Sequence, residues 1–181
     1  MPETSRLVTA EELEKFPDDG SRYELVEGRV IRMSPVGYLH GKTVVQMIFL
    51  LQRHISGRRL GVVFTELGVK LASNPDTVRA PDVAFIRQDR IPANARGFWV
   101  GAPDLAVEVL SPDDRPSEVQ RKVEEYLRRG TALVVVIDPE DKTVAIFRPS
   151  TASTTLRSDH DLLDLDEIVP GFRCRLGEIF E

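Results

Sequence analysis

Apolar side chains recur along this chain with two periods, every second residue in some segments and every third or fourth in others. These are the periods of strands and helices, so their succession predicts an order of elements. Thr9 and Glu12 have capping-box spacing and predict a short helix ending near Phe16, which Pro17 to Gly20 then breaks. Tyr23 to Val26 and Arg29 to Met33 flank Glu27-Gly28 and predict a tight hairpin. From about His40 to Ile55 the stripe Val44, Met47, Ile48, Leu51 and Ile55 repeats at helical spacing, with His40 one turn ahead on the same stripe. Val62 to Leu71 alternates as one strand, with Val63, Thr65, Leu67, Val69 and Leu71 on one face and Glu66 and Lys70 on the other.

Ala72 to Ala80 reads as a loop, and Val83 to Ile86 and Leu105 to Leu110 as short apolar strands. Between those strands, Arg87 to Pro103 is long for a connection and holds the only tryptophan, Trp99. Loops of that length tend to be functional, and this one has room for a short helical turn. Ser117 to Gln120 is a second capping box, opening a helix that runs to about Arg129 and stops at Gly130. Ala132 to Ile137 is continuously apolar, as a central strand buried on both faces should be, and Thr143 to Phe147 reads as its neighbour. Ser150 to Thr155 is a polar loop, Ile168 to Gly171 a turn, and Leu176 to Phe180 a short helix. The strand, helix and strand from Leu105 to Ile137 form a crossover unit, which lays its helix against the sheet. The fold class is therefore α/β with an α+β-like mixed sheet: a central sheet flanked by helices, preceded by an N-terminal helix and hairpin. No repeat or boundary divides the chain, which reads as one domain over 1–181, with a core at about 23–149 and a C-terminal extension at 150–181.

Composition narrows the class. A chain of 181 residues, 41% hydrophobic and 29% charged, is long enough to bury a core without staples. The single Cys174 excludes an internal disulfide framework and a cysteine-based zinc cluster, and it fits a reducing compartment. Neither a signal-length apolar run nor a membrane-length segment is present, so the expected location is cytoplasmic, away from the membrane. A net charge of −5 argues against nucleic-acid binding through a broad basic surface. It leaves room for a local basic groove built from Arg53 with Arg58 and Arg59, or from Arg128 and Arg129.

Three charged residues stand in or beside core-forming segments: Asp82, Glu108 and Lys122. A carboxylate embedded in an apolar strand costs several kcal/mol unless a cation or proton compensates it. Alternation places Glu108 on the face of Ala106, where there is room for a ligand. Lys122 follows Val119 by three residues and precedes Tyr126 by four, so it lies on the inward stripe of its helix and points toward the sheet. Two carboxylates with one lysine make a site for a divalent metal and an anionic substrate. The same residues also make a buried ion pair, or a lysine snorkelling at the sheet edge. His40 reads more readily as a hydrogen-bonded core histidine, Glu24 and Glu66 are isolated carboxylates on alternating strands, and His54 and His160 have no supporting context.

The order of these features resembles the PD-(D/E)xK nuclease core. More narrowly, the chain is similar to the bacterial Uma-type (Uma two) family of restriction-endonuclease-like proteins, from about Tyr23 to Phe180. The likeness rests on Tyr23 to Gly28, Met33-Ser34-Pro35, His40-Gly41, Pro81 to Phe85, Gly101 to Pro112, Lys122 to Tyr126, Val136 to Pro139 and Pro170-Gly171-Phe172. The simplest superfamily pattern puts lysine two residues after the strand carboxylate, but position 110 is Leu110. Uma-type members resemble this chain in carrying the lysine on the following helix, which gives Lys122. The resemblance implies Asp82 and Glu108 as metal ligands, with the Val109 carbonyl as a third. Lys122 would position or activate the attacking water, and His40, Glu24 and Glu66 would be additional site members. It further implies Mg²⁺ as cofactor, with Mn²⁺ as substitute, and DNA as substrate, and it leaves a homodimer open. Three functions remain in view: a metal-dependent DNA endonuclease, a nuclease-fold scaffold without activity, and a metal-dependent hydrolase of another phosphoester.

Overall fold

The computed structural model describes residues 6–181. Its centre is a six-stranded sheet. In chain order its strands are β3 (Gly61–Thr65), β6 (Val83–Arg87), β8 (Leu105–Val109), β9 (Leu133–Asp138), β10 (Thr143–Phe147) and β11 (Thr154–Leu156). They lie side by side in the order β11-β10-β9-β8-β6-β3, and only β8 and β9 run parallel. Helix α3 (Pro116–Arg128) makes the crossover between those two strands. Parallel neighbours need such a connection because a hairpin cannot join them.

A second sheet is built from β1 (Arg22–Val26), β2 (Arg29–Met33), β4 (Val69–Ala72), β5 (Thr77–Arg79) and β7 (Trp99–Val100), in the order β2-β1-β5-β4-β7. The fold is thus a mixed α+β architecture, as the periodicity predicts. Both faces of the six-stranded sheet are covered. On one, Met47, Leu51 and Ile55 of α2 (Tyr38–Ile55) pack with Val83, Val107, Leu133 and Val135. On that same face sit Leu163, Leu165, Phe172, Leu176 and Ile179, from a two-stranded ribbon of β12 (Leu162–Asp164) and β13 (Arg173–Arg175) and from α4 (Leu176–Phe180) with its flanking turns. On the other, Val123 and Tyr126 of α3 meet Ala106, Val134 and Val136, and Val69 and Leu71 of β4 join them. Helix α1 (Ala10–Leu13) seals a smaller cluster with Leu25 and Val78, and the Thr9–Glu12 capping box forms.

Several local expectations need correction. Val62 to Leu71 is not one strand. The chain turns at Glu66, whose φ of 51° is left-handed, and it passes from β3 in the central sheet to β4 in the second. Gly68 makes this exchange possible, because a Cβ there would collide with the ring of Phe98. The expected loop at 72–80 contains β5, paired antiparallel with β4 and β1. The long connection after β6 holds a helical turn, a 3-10 turn at Gln88–Arg90, as expected, but it also holds the short strand β7, laid parallel on β4. The polar stretch at 150–155 gives up its last two residues to β11. Ser117 does not cap α3; the helix starts with Pro116 at its first position after Arg115, without a side-chain cap. Proline suits that position because its fixed φ is helical and its missing N–H would have had no partner. Helix α2 begins at Tyr38, and its buried face is His40, Thr43, Met47, Leu50, Leu51 and Ile55, leaving Val44 and Ile48 half-buried.

Gly61 gives the sheet edge its strictest local requirement: an added Cβ would press on the Ile86 carbonyl and the buried Phe85 ring. Gly61→Ala should lower unfolding free energy by about 1–3 kcal/mol, the usual cost of overpacking. Urea denaturation with an unchanged m-value and a lower midpoint checks this.

Candidate active site

Glu108 lies next to the end of β8, and Asp82 lies one residue before β6. The β6–β8 register pairs Val83 with Val107 and, continued by one residue, sets Asp82 across from Glu108. Asp82 Oδ2 accepts a hydrogen bond from the Val109 N–H at 2.7 Å and lies 3.2 Å from His40 Nε2. An ionised carboxylate only accepts, so Nε2 carries the proton of that contact. The buried Nδ1 of His40 then has no hydrogen-bond partner. Thr65 contributes its hydroxyl to the Asp82 carbonyl at 3.1 Å, tying the end of β3 to the same corner.

On the α3 side, the Lys122 ammonium donates to Glu108 Oε2 at 2.8 Å and lies 3.3 Å from Glu24 Oε1. The Tyr126 hydroxyl donates to Glu108 Oε1 at 2.9 Å. Glu24, on β1, also accepts from Arg79 Nη1 at 2.8 Å and from the Ala80 N–H at 3.1 Å. Arg79 reaches Glu125 as well, Nε to Oε2 at 2.7 Å. The chain therefore brings together Asp82, Glu108, Lys122, His40 and Glu24 at the adjoining ends of β6 and β8, below β1. Glu66 is adjacent only through its backbone, whose N–H donates to the Pro81 carbonyl at 3.2 Å. Its carboxylate is half exposed and paired with Arg22.

Val109 shows the side of the strand that faces this corner. Leu110 N–H donates to Ile137 on β9, so the peptide groups of the preceding residue face the opposite way, toward β6, where the Val109 N–H meets Asp82. The N–H and C=O of one extended residue project to the same side, which turns the Val109 carbonyl toward Asp82.

The electrostatics are unbalanced. Four carboxylates, Glu24, Asp82, Glu108 and Glu125, surround two permanent cations, Lys122 and Arg79. Burial, together with the charges of Asp82 and Glu24, outweighs Lys122 and pushes the Glu108 carboxyl up to about 7. Burial also opposes ionisation of Glu24, but Lys122 and Arg79 overcome it and hold that carboxyl below its usual range. Burial works against the Lys122 charge, yet Glu108 and Glu24 keep the ammonium protonated well past its ordinary range. Arg79 is held cationic against burial by Glu24 and Glu125. Burial and the neighbouring Glu108 push the Tyr126 hydroxyl well above its ordinary value, so it acts as a donor. Among the described residues no three His, Cys, Asp or Glu side chains converge as a ready-made metal cage. Hard divalent cations such as Mg²⁺ need no such cage, being held by one or two carboxylates and waters. A surplus of buried carboxylate oxygens with a carbonyl beside them fits that donor chemistry.

Residues 10–177 match the family described as "Uma2: Putative restriction endonuclease". The chain belongs to the Uma2 family. A solved structure described as a putative nuclease belonging to DUF820, from Anabaena variabilis, superposes with a TM-score of 0.84. It is 23% identical, and the match covers 96% of this chain and 97% of that one. At that identity the likeness shows the fold. No curated protein matches the chain. None of the described helices is long and apolar enough to cross a membrane.

Three members of this buried cluster escape a reading of isolated residues: Arg79, Glu125 and Tyr126. Arg79 falls in a segment that reads as a loop, but Glu125 and Tyr126 follow Lys122 by three and four residues. Helical spacing alone places Lys122, Glu125 and Tyr126 on one face.

The raised Glu108 carboxyl predicts a pH dependence. Its unfolded value is near 4.5 and its folded value near 7, so the folded state binds the extra proton. The resulting stabilisation is full below pH 4.5 and lost as pH rises to 7, amounting to about 3 kcal/mol. In chelator, urea melts of wild type should lose stability over that window relative to Glu108→Gln, which carries no titrating group there. Parallel pH profiles for the two proteins would count against this electrostatic account.

Proposed function

We propose that this chain is a divalent-metal-dependent nuclease that hydrolyses DNA phosphodiester bonds. The single observation that carries the reading is the gathering of four carboxylates, Glu24, Asp82, Glu108 and Glu125, around only two permanent cations, Lys122 and Arg79. Family membership supports the same reading. Asp82, Glu108 and the Val109 carbonyl would hold Mg²⁺ or Mn²⁺, and Glu66 is set apart from that group by its pairing with Arg22. A bound divalent ion supplies Lewis acidity and a water of lowered pKa.

The chain's own residues have separate tasks. His40 and the Val109 N–H both bind Asp82 Oδ2, fixing that carboxylate at the strand end. Tyr126 holds one oxygen of Glu108 and Lys122 the other, so Glu108 cannot swing away from the corner. Lys122 stays cationic, so it cannot act as a base; its role is to orient the attacking water and to balance charge on the phosphate. Glu24, itself anchored by Arg79 and the Ala80 N–H, holds Lys122 from behind. The competing reading is an inactive scaffold whose cluster is purely structural, and it draws on the fact that both Glu108 oxygens already have protein partners.

Two variants separate these readings. Lys122→Ala should reduce Mg²⁺- or Mn²⁺-dependent plasmid nicking by about 100- to 1000-fold, the scale expected for removing a preorganised charge at a reacting centre. Calorimetric Mn²⁺ titration of that variant should resemble wild type. Asp82→Asn retains an oxygen acceptor for the Val109 N–H and so should melt, in chelator, at or above the wild-type temperature. It should lose the stabilisation that saturating Mn²⁺ gives wild type, about 2.7 kcal/mol at 100 times Kd. A wild type whose melting ignores Mn²⁺, joined to a large loss of stability in Asp82→Asn, would establish the scaffold.

A further inference from the structure

Helix α2 buries one face and leaves the opposite one bare. Among the described residues, ten large hydrophobic side chains are exposed, and five of them, Val36, Tyr38, Leu39, Val45 and Phe49, lie on this helix or just before it. Val45 is 67% exposed, Phe49 53% and Tyr38 83%. Tyr38, Lys42, Val45, Phe49 and Arg53 succeed one another at intervals of three and four residues, so they form one stripe along the helix. Beside the stripe runs a groove of about 520 Å³, lined among others by Gly37, Gly41, Val45, Gln46 and Glu181. Exposed apolar patches of this kind on soluble proteins mark contact surfaces.

We infer that this face is where two copies of the chain pair, α2 against α2 in antiparallel order about a two-fold axis near Val45. A two-fold interface must be self-complementary, and three features of this stripe are. Val45 falls on the axis and meets its own copy. Phe49 of one chain falls beside Gly41 and Lys42 of the other, and a Cβ at Gly41 would find no atom within 4 Å, so the glycine leaves an open hollow for the ring. Arg53 falls beside Gly37 and Tyr38 of the other chain, in the groove that Glu181 lines, so cation meets carboxylate at both ends of the pair.

The charges argue for a second copy against a nucleic acid. Lys42 donates to the Phe180 carbonyl at 3.3 Å, and Arg53 lies 3.6 Å from Glu178 and over the ring of Phe49. Lys42 is engaged within its own chain, the Arg53 side chain stays 59% exposed, and Glu181 adds an anion that would repel phosphate, so the face carries both signs of charge as a self-complementary contact requires. Eighteen residues of helix give a contact about 27 Å long. One helix face is below the usual size of a permanent interface, which points to a reversible, concentration-dependent dimer.

The inference stands apart from the nuclease reading, because none of these residues belongs to the site and the assay needs no activity. Sedimentation equilibrium of the full chain from 5 to 500 µM should show monomers converting to dimers. Phe49→Glu should remain monomeric throughout that range while keeping the wild-type melting temperature. Arg53→Glu should weaken association at least tenfold, and Arg53→Glu with Glu181→Arg should restore it. Val45→Cys under mild oxidation should give a disulfide-linked dimer, whereas Arg128→Cys on α3 should not; the native Cys174 is buried and will not interfere. A monomeric wild type at 500 µM with no Val45→Cys cross-link overturns the proposal. So does a dimer that Phe49→Glu leaves intact. Loss of duplex-DNA binding by Phe49→Glu in a monomeric protein would instead identify the face as a nucleic-acid surface and overturn it as well.

Discussion

The ammonium of Lys122 is held between Glu108 and Glu24, and the rest of the functional corner is arranged around that bond pair. An ion removed from water needs partners at short range, since the Coulomb attraction that replaces hydration falls away with distance and with every intervening solvent molecule. Lys122 obtains two. They come from different sheets, Glu108 from β8 and Glu24 from β1, so one side chain on α3 ties the central sheet to the second sheet. Arg79 repeats the device one layer out, joining Glu24 on β1 to Glu125 on α3.

A network of this kind would be closed if its charges balanced, and here they do not. Arg79 is shared by Glu24 and Glu125 and Lys122 by Glu24 and Glu108, which leaves Asp82 with a histidine alone. The imbalance collects on Glu108, the carboxyl most deeply surrounded by other anions. The corner is also where the two faces of the central sheet meet. His40 arrives from the α2 side, Lys122 and Tyr126 from the α3 side, and the strand ends of β6 and β8 present backbone between them. Strand ends permit this because their peptide groups are no longer consumed by the ladder. Val109 can therefore offer its N–H to a side chain.

Much of the corner was legible in the sequence because it follows short-range geometry. Period-two alternation put Glu108 on the face of Ala106, and helical spacing put Lys122 on an inward stripe; a crossover between parallel strands then brings those surfaces together. Glu24 stands on the hairpin expected from Glu27-Gly28, and His40 on the long helix expected from about His40 to Ile55. Arg79 was not legible. Its strand is three residues long, too short to show a period, and its two partners lie 55 and 46 residues away. The break at Glu66 was hidden for a different reason. Alternation continues through Leu67 and Val69 although the chain has changed sheets, because side-chain period does not report which neighbour a strand pairs with.

What the sequence determined by itself was the inventory of elements and the side of each element that faces inward, since both depend on bond geometry and on burying apolar surface, and both are local. It also named the three charged residues that an apolar context makes costly. Tertiary structure alone decided pairing: that Asp82 lies across from Glu108, that Glu24 rather than Glu66 completes the lysine's surroundings, and that Arg79 joins two sheets. Those are contacts between distant segments, chosen by which arrangement satisfies every buried charge at once. No window of sequence contains that condition.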